Sequence, residues 1–279
     1  MGKNLNKGTI ILLSIGVLSL LLGIFLGIQF AILVFLMLLL IYLIITKKHY
    51  IKVFKAMKSY KLEDYKTTLE YYRDAAMSPW ANAPIIINYL ICELKYGKPS
   101  LAKEYINENL NLKSIKPHEF INLEVTKAIV IWKTSSKEEA ITSLKNLLAN
   151  NKNTYIYETL TSFLLCSNKF DEAKNYINEA MEFNPDNNII KSNYAEICYK
   201  LEKFDEAKKY FDTLINENVR FIEPYYYTAL IENKNGNFEK SIELLRKAQE
   251  LNESLVSLIS QSDVEQALNC AMVKSLNSV

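Results

Sequence analysis

Lys169-Phe170-Asp171-Glu172-Ala173-Lys174 returns unchanged as Lys203-Phe204-Asp205-Glu206-Ala207-Lys208, displaced by 34 residues, and an altered third copy reads Asn237-Phe238-Glu239-Lys240-Ser241. Earlier in the chain the small residue recurs at Ala140, Ala102 and Thr68, so that positions 68, 102, 140, 173, 207 and 241 lie 34, 38, 33, 34 and 34 apart. A fixed period of this length marks a solenoid made from one repeated supersecondary unit. Each unit reads as two helices. Tyr157, Leu160 and Leu164 make an i, i+3, i+7 apolar stripe, Ser167-Asn168-Lys169 breaks it, and Ala173, Ile177 and Ala180 make a second stripe closed by Asn184-Pro185. Two such helices cannot close a core alone, but stacked neighbours can. The small residue is expected where the paired helices approach closely. Asp171-Glu172 and Asp205-Glu206, just before it, oppose the positive end of the helix dipole, so they read as helix starts and not as general acid/base pairs.

On these features the chain resembles the tetratricopeptide repeat family over roughly 49–253, in six units. The resemblance rests on the period, on the small residue opening each second helix, on the aromatic three residues before it (Tyr65, Phe170, Phe204, Phe238), and on Pro185. It is strongest from 154 to 253. The large residue that the family carries near the start of the first helix is Tyr157 and Tyr225 in two units but Lys191 and Lys52 in others. The small pair-mate inside the first helix is Ala56, Ala128, Ala195 and Ala229, while Leu90 and Thr161 depart. A stretch from Lys113 to His118, with Pro117, reads as a lengthened turn between the second and third units. Residues 254–276, with Val264, Ala267, Leu268, Met272 and Leu276 at helical spacing, read as a capping helix on the last apolar face. The resemblance implies an all-α fold whose main body is a right-handed α-solenoid.

The segment before the repeats has a different character. From Gly8 to Thr46 there are 39 residues without a charge, and no Asp or Glu precedes Glu63. As one helix this run would be ~58 Å long, about twice a bilayer core, so two crossings are expected, near 8–26 and 30–46, broken at Gly27-Ile28-Gln29. A cleaved signal peptide would need a far shorter apolar run, and Asn6 stands where myristoylation needs Ser or Thr. Lys3 and Lys7 precede the first span, and Lys47, Lys48, Lys52, Lys55, Lys58 and Lys61 follow the second. The positive-inside rule then places both ends of a helical hairpin in the cytoplasm. Lys47, Lys48, Lys52 and Lys55 are expected to touch anionic lipid. Gly16, Ser19, Gly23 and Gly27 flatten one face of the first span, for close packing against the second span or, alternatively, for a homodimer. No Pro or Gly separates the second span from the first repeat helix, so one helix is expected to run from bilayer into solenoid. The domain reading is therefore an anchor at 1–47, a solenoid at 48–253 and a cap at 254–279.

Composition narrows the chemistry. A chain that is 49% hydrophobic, with 7 Gly, 6 Pro and 4 Cys in 279 residues, is neither disordered nor a disulfide framework. Cys92, Cys166, Cys198 and Cys270 form no CxxC motif and suit buried helical positions. His49 and His118 are the two histidines, and neither has a carboxylate at ligand or triad spacing. There is no glycine-rich phosphate loop. Of the 33 basic residues eight lie at or before Lys61, leaving 25 against all 31 acidic ones, a balance that repels nucleic acid. Neither enzymatic activity nor a cofactor or metal is expected.

What remains is surface. By the resemblance, the inner groove is lined by the first helices, here Tyr60, Ile87, Ile91, Leu94, Val125, Ile129 and Trp132, then Glu158, Ser192, Glu196 and Tyr226. Packing between units competes for Ile87, Val125 and Ile129. The basic set with which some family members hold a peptide carboxylate is missing, and an amphipathic helix or extended peptide suits the groove better. The expected function is a multi-pass scaffold or adaptor that gathers protein partners at the cytoplasmic face of the cell membrane. The alternative is an oligomeric membrane accessory, a transporter or envelope-complex subunit whose hairpin is the active part.

Overall fold

The computed structural model describes residues 7–110 and 115–277, apart from the side chains of 7, 22, 23, 25, 26, 117 and 118. Among the described residues the regular elements are all helices: α1 Lys7–Leu26, α2 Ile28–Lys61, α3 Tyr65–Ala76, α4 Ala83–Tyr96, α5 Pro99–Glu108, α6 Pro117–Thr134, α7 Lys137–Asn150, α8 Thr154–Cys166, α9 Phe170–Phe183, α10 Asn188–Lys200, α11 Phe204–Asn216, α12 Glu223–Lys234, α13 Phe238–Gln249 and α14 Gln261–Asn277. The chain divides within α4 into two compact units, one of residues 1–92 with 111–115 and one of 93–110 with 116–279.

In the first unit α1 and α2 are separated by Gly27 alone, whose φ of 90° and ψ of 152° lie in a region reserved almost entirely for glycine. The two helices lie side by side and antiparallel, with Gly8, Thr9 and Leu12 sharing a cleft with Tyr42, Thr46 and His49. As expected from the missing breaker, α2 continues for 34 residues from the apolar run into the first repeat pair, where its charged half packs on α3. Ala56 and Thr68 meet the expectation of small buried residues there, at 0% and 1% exposure.

The small-residue face of α1 needs correction. Gly27 is exposed and serves as the turn, not as part of a packing face. Gly16 and Ser19 do border a cleft with Ala31 and Phe35, but a Cβ built on Gly16 would meet nothing within 4 Å, so the close backbone contact expected there is not made. Ser19 is buried and returns its hydroxyl to the Ile15 and Gly16 carbonyls (2.8 and 2.9 Å). The surroundings of Gly23 and of the His118 side chain lie outside the described residues, as do residues 113 and 114 of the stretch assigned to the lengthened turn, while Pro117 and His118 at its end already belong to α6.

In the second unit α6–α7, α8–α9, α10–α11 and α12–α13 pack as consecutive pairs. Ala128 and Ala140, Thr161 and Ala173, Ala195 and Ala207, and Ala229 and Ser241 sit at matching positions on the two helices of each pair, none more than 1% exposed. The Ser241 hydroxyl donates to the Ala229 carbonyl at 2.8 Å, which shows how closely the helices cross. Thr161 departs from the family's small residue without leaving this register. Its hydroxyl is absorbed by the Tyr157 carbonyl at 2.7 Å.

The turn inside a pair recurs with the same period. Asn168, Glu202 and Gly236 have φ of 56°, 61° and 82°, each two residues before the aromatic that opens the next helix, and Glu63 does the same before Tyr65 with φ of 59°. The following N–H reaches back to the preceding helix: Lys169 to Leu164, Lys203 to Cys198 and Asn237 to Glu232, all 2.9 Å, and Asp64 to Ser59 at 3.1 Å. This is a Schellman-type ending, which favours glycine because the left-handed conformation crowds a Cβ. Glu202→Gly is therefore expected to stabilise the second unit by about 1 kcal/mol, and Gly236→Glu to remove a similar amount. Urea denaturation of the two variants checks both signs.

Helix starts agree with the sequence reading. Asp64, Ser136, Asn153 and Asn187 accept from the N–H groups of Thr67, Glu139, Tyr155 and Ile190 (3.1, 3.3, 2.9 and 2.9 Å). α9 and α11 have no such cap and instead carry Asp171-Glu172 and Asp205-Glu206 in their first turns.

The capping helix begins at Gln261, not at 254. The Ser254 and Ser257 hydroxyls take the N–H groups of Val256 and Ile259 (3.3 and 3.0 Å), and Asp263 takes that of Ser260 (2.8 Å), so local side-chain bonds replace the helical ladder over this stretch. Beyond it Val264, Leu268 and Ala271 are buried, whereas Leu276 is 79% exposed and does not join the covered face. Cys92 and Cys198 are buried and Cys166 half-buried, but Cys270 is exposed, against the expectation for a core thiol.

Candidate protein-binding groove

The first helices α6, α8, α10 and α12 touch one another in succession as well as their own partners. That double contact decides the fate of the apolar groove residues. Val125, Ile129 and Trp132 are buried at 0%, 5% and 9% exposure within one core cluster, and Trp132 stacks on Phe163 with ring centres 4.2 Å apart. They are core residues and not a free groove surface, because the stripe that would face inward is consumed by the next unit's first helix. Leu94 is half-buried against the same cluster. In the first unit Tyr60 is exposed, while Ile87 and Ile91 are half-buried.

The first helices of the second unit present polar side chains among apolar ones. Ser162, Leu165 and Cys166 of α8, Ile189, Ser192, Asn193 and Glu196 of α10, and Phe221 and Glu223 at the start of α12 border a cavity of about 80 Å³. Ser254, Val256, Ser257 and Leu258 close its far side. The Asn193 amide donates to the Glu158 carbonyl, the Thr161 hydroxyl and the Ser162 hydroxyl (3.2, 2.7 and 3.1 Å) and ties α10 to α8. Asn187 donates to the Glu158 carboxylate at 2.7 Å, and the Tyr227 hydroxyl to that of Glu196 at 2.8 Å.

Of the residues expected in the groove, Ser192 and Glu196 border this cavity, and Glu158 is joined to it through Asn193. Tyr226 is half-buried, its ring set against that of Tyr227. Asn193 and Glu223 were not anticipated. A usable signal existed, since Ser162 and Glu196 occupy equivalent positions one period apart and both are polar.

Burial pushes Glu196 up to about 7, outweighing the Tyr227 hydrogen bond that favours its charged form. Burial likewise raises Glu158, with the Asn187 bond opposing. The Cys166 thiol is pushed up to about 12, chiefly by burial, which leaves it protonated and a poor nucleophile. Among the described residues no three His, Cys, Asp or Glu side chains cluster as metal ligands.

At the base of the first unit Lys52 is bonded to Asp74 at 2.7 Å, and Lys52 and Lys55 both lie near the Tyr71 ring (5.5 and 5.6 Å). Lys47 sits 5.5 Å from the Tyr50 ring and Lys48 is exposed. His49 is 3% exposed, and neither ring nitrogen has a hydrogen-bond partner.

Helix pairs stacked at a period of 34 residues, with small residues at each crossing, define an α-solenoid. Models of the tetratricopeptide repeat match residues 164–230 and 223–255. No characterised protein matches the chain significantly in sequence. Solved structures of similar fold include a MamA mutant (20% identical, covering 66% of this chain and 97% of that one, TM-score 0.40). Others are a tetratricopeptide repeat protein from Parabacteroides merdae (13%, 81% and 99%, 0.47) and the TPR2AB domain of yeast Sti1 in a pHSP90 complex (15%, 81% and 99%, 0.33).

Proposed function

We propose that this protein is a membrane-anchored tetratricopeptide repeat scaffold that holds protein partners at the cytoplasmic face of the membrane. The repeats supply the interaction function, and the anchor supplies the location. The observation that carries the anchor is α2. Among the described residues it is the one helix long and apolar enough to cross a membrane, and it continues without a break into the first repeat pair. α1 lies antiparallel to it, apolar over Gly8–Leu21 among the described residues, and supplies the second crossing of a hairpin. The six lysines from Lys47 to Lys61, with no acidic residue before Glu63, favour a cytoplasmic repeat side. Lys47 and Lys48 then meet anionic headgroups, while Lys52 is shared with Asp74.

Exposed Cys270 and a Gln29→Cys variant test the topology in sealed vesicles of both orientations with a membrane-impermeant maleimide. Cys270 is expected to react only from the cytoplasmic side and Cys at 29 only from the other, in a chain that resists carbonate extraction. Release by carbonate, or labelling of both sites from one side, would overturn the two-span anchor. Ser162→Lys, at a half-buried position on the groove, is expected to abolish crosslinking of partner proteins in native membranes without loss of helix content. Unchanged crosslinks would move the binding surface elsewhere.

A further inference from the structure

Residues 251–260, Leu251-Asn252-Glu253-Ser254-Leu255-Val256-Ser257-Leu258-Ile259-Ser260, contain neither Pro nor Gly, yet they form no helix between α13 and α14. Their place is the concave face. Leu255 and Val256 pack against the core cluster that runs through α6–α10. The Ser257 hydroxyl donates to the Glu223 carboxylate at 2.7 Å. Ile259 is 4% exposed and belongs to the other core cluster, so the far end of the segment is pinned, as is its base, where the Gln261 amide donates to the Leu251 carbonyl at 2.5 Å. A strap fixed at both ends thus crosses the surface where a partner of this scaffold would lie.

The fit is loose. The cavity of about 80 Å³ left between strap and groove exceeds the ~30 Å³ share of a water molecule, whereas well-packed interiors leave few such voids. On the scaffold side its walls carry the hydrogen-bonding groups of Ser162, Ser192, Asn193 and Glu196. On the strap side Ser254 and Ser257 accept from the strap's own N–H groups.

We propose that residues 253–260 are a built-in occupant of the groove, and that the partner's segment, which must displace them, is of the same chemical kind: extended, with two adjacent aliphatic side chains followed by a hydroxyl donor that reaches Glu223. The proposal rests on the groove being the partner site. The closed strap lowers the competent fraction of the protein, and apparent affinity falls by that fraction.

The test uses the full chain in detergent and a fluorescein-labelled synthetic peptide of residues 253–260. Leu255→Ser with Val256→Ser releases the strap, and the variant is expected to bind the peptide about tenfold more tightly than the unaltered chain. Ser257→Ala, which removes the bonds to Glu223 and to the Ile259 N–H and leaves the apolar packing in place, is expected to give a smaller gain of about threefold. Cys166, at the cavity wall, should be alkylated faster in both variants, read by mass spectrometry of its peptide. Equal peptide affinity in all three proteins would overturn the gating strap while leaving the groove as a binding site. Faster alkylation without peptide binding by any of them would overturn the stated partner chemistry. Partner crosslinks insensitive to Ser162→Lys would instead remove the underlying groove reading.

Discussion

Phe163→Ala is expected to destabilise the second unit by about 3–5 kcal/mol, the cost of deleting a fully buried aromatic where the surroundings cannot collapse. Phe163 is 0% exposed, lies in the second half of α8, and stacks on Trp132 of α6 with an interplanar angle of 12°. It belongs to the cluster shared by α6–α10, so its loss opens a void between repeats and not at an edge that could close. In a solenoid the energy that joins neighbours is a separate contribution from the energy within each repeat. Truncation is therefore expected to uncouple α6–α7 from α8–α13 as well as to lower the midpoint. Urea denaturation in a Trp80→Phe background, monitored by Trp132 fluorescence and by circular dichroism, measures both. Coincident transitions with a loss below about 1 kcal/mol would show that this stack does not bind the units together.

The second large effect is a pH dependence carried by Glu196. Its carboxyl is raised from the ordinary 4.5 to about 7 in the folded protein, chiefly by burial, so the folded state holds this proton more tightly than the unfolded chain. The stabilisation is fully present below about pH 4.5, declines between there and 7, and is lost above 7. Integrated over that window it amounts to about 3 kcal/mol. Glu206 and Asp263 are shifted the opposite way, by the Tyr194 and Ser260 hydrogen bonds respectively, so their stabilisation is lost only on acidification below the ordinary carboxylate range. Glu158 is raised like Glu196, so the informative quantity is the difference between the unaltered chain and Glu196→Gln. Gln keeps an acceptor for the Tyr227 hydroxyl and never ionises. The variant is expected to match the unaltered protein near pH 4.5 and to exceed it by about 3 kcal/mol at pH 8, read as urea midpoints across pH. Parallel pH profiles would show that Glu196 ionises freely in the fold.

Much of the architecture was legible because it is periodic. A position that must be small recurs where two helices cross, and Thr68, Ala102, Ala140, Ala173, Ala207 and Ser241 are all buried. The apolar run before the repeats was equally plain, and the missing breaker after Thr46 foretold the continuous α2. The groove was harder. Val125, Ile129 and Trp132 look from their spacing like an exposed stripe on a first helix, and only the presence of the next first helix turns them into core. The same local ambiguity misassigned 254–260. A run of Ser and aliphatic residues satisfies helical spacing, but Leu255 and Val256 gain more from burial in a distant cluster than from another helical turn.

Spacing along the chain was enough to define the helix pairs of the second unit, their register, and the apolar run before the repeats, since those depend on contacts between residues a few positions or one period apart. Folding in three dimensions settled which apolar side chains are surface, that Asn193 and Glu196 border one cavity, and that the chain's own residues 253–260 lie across it. Those outcomes depend on what stands opposite each side chain in space, and a linear pattern carries no record of that opposition.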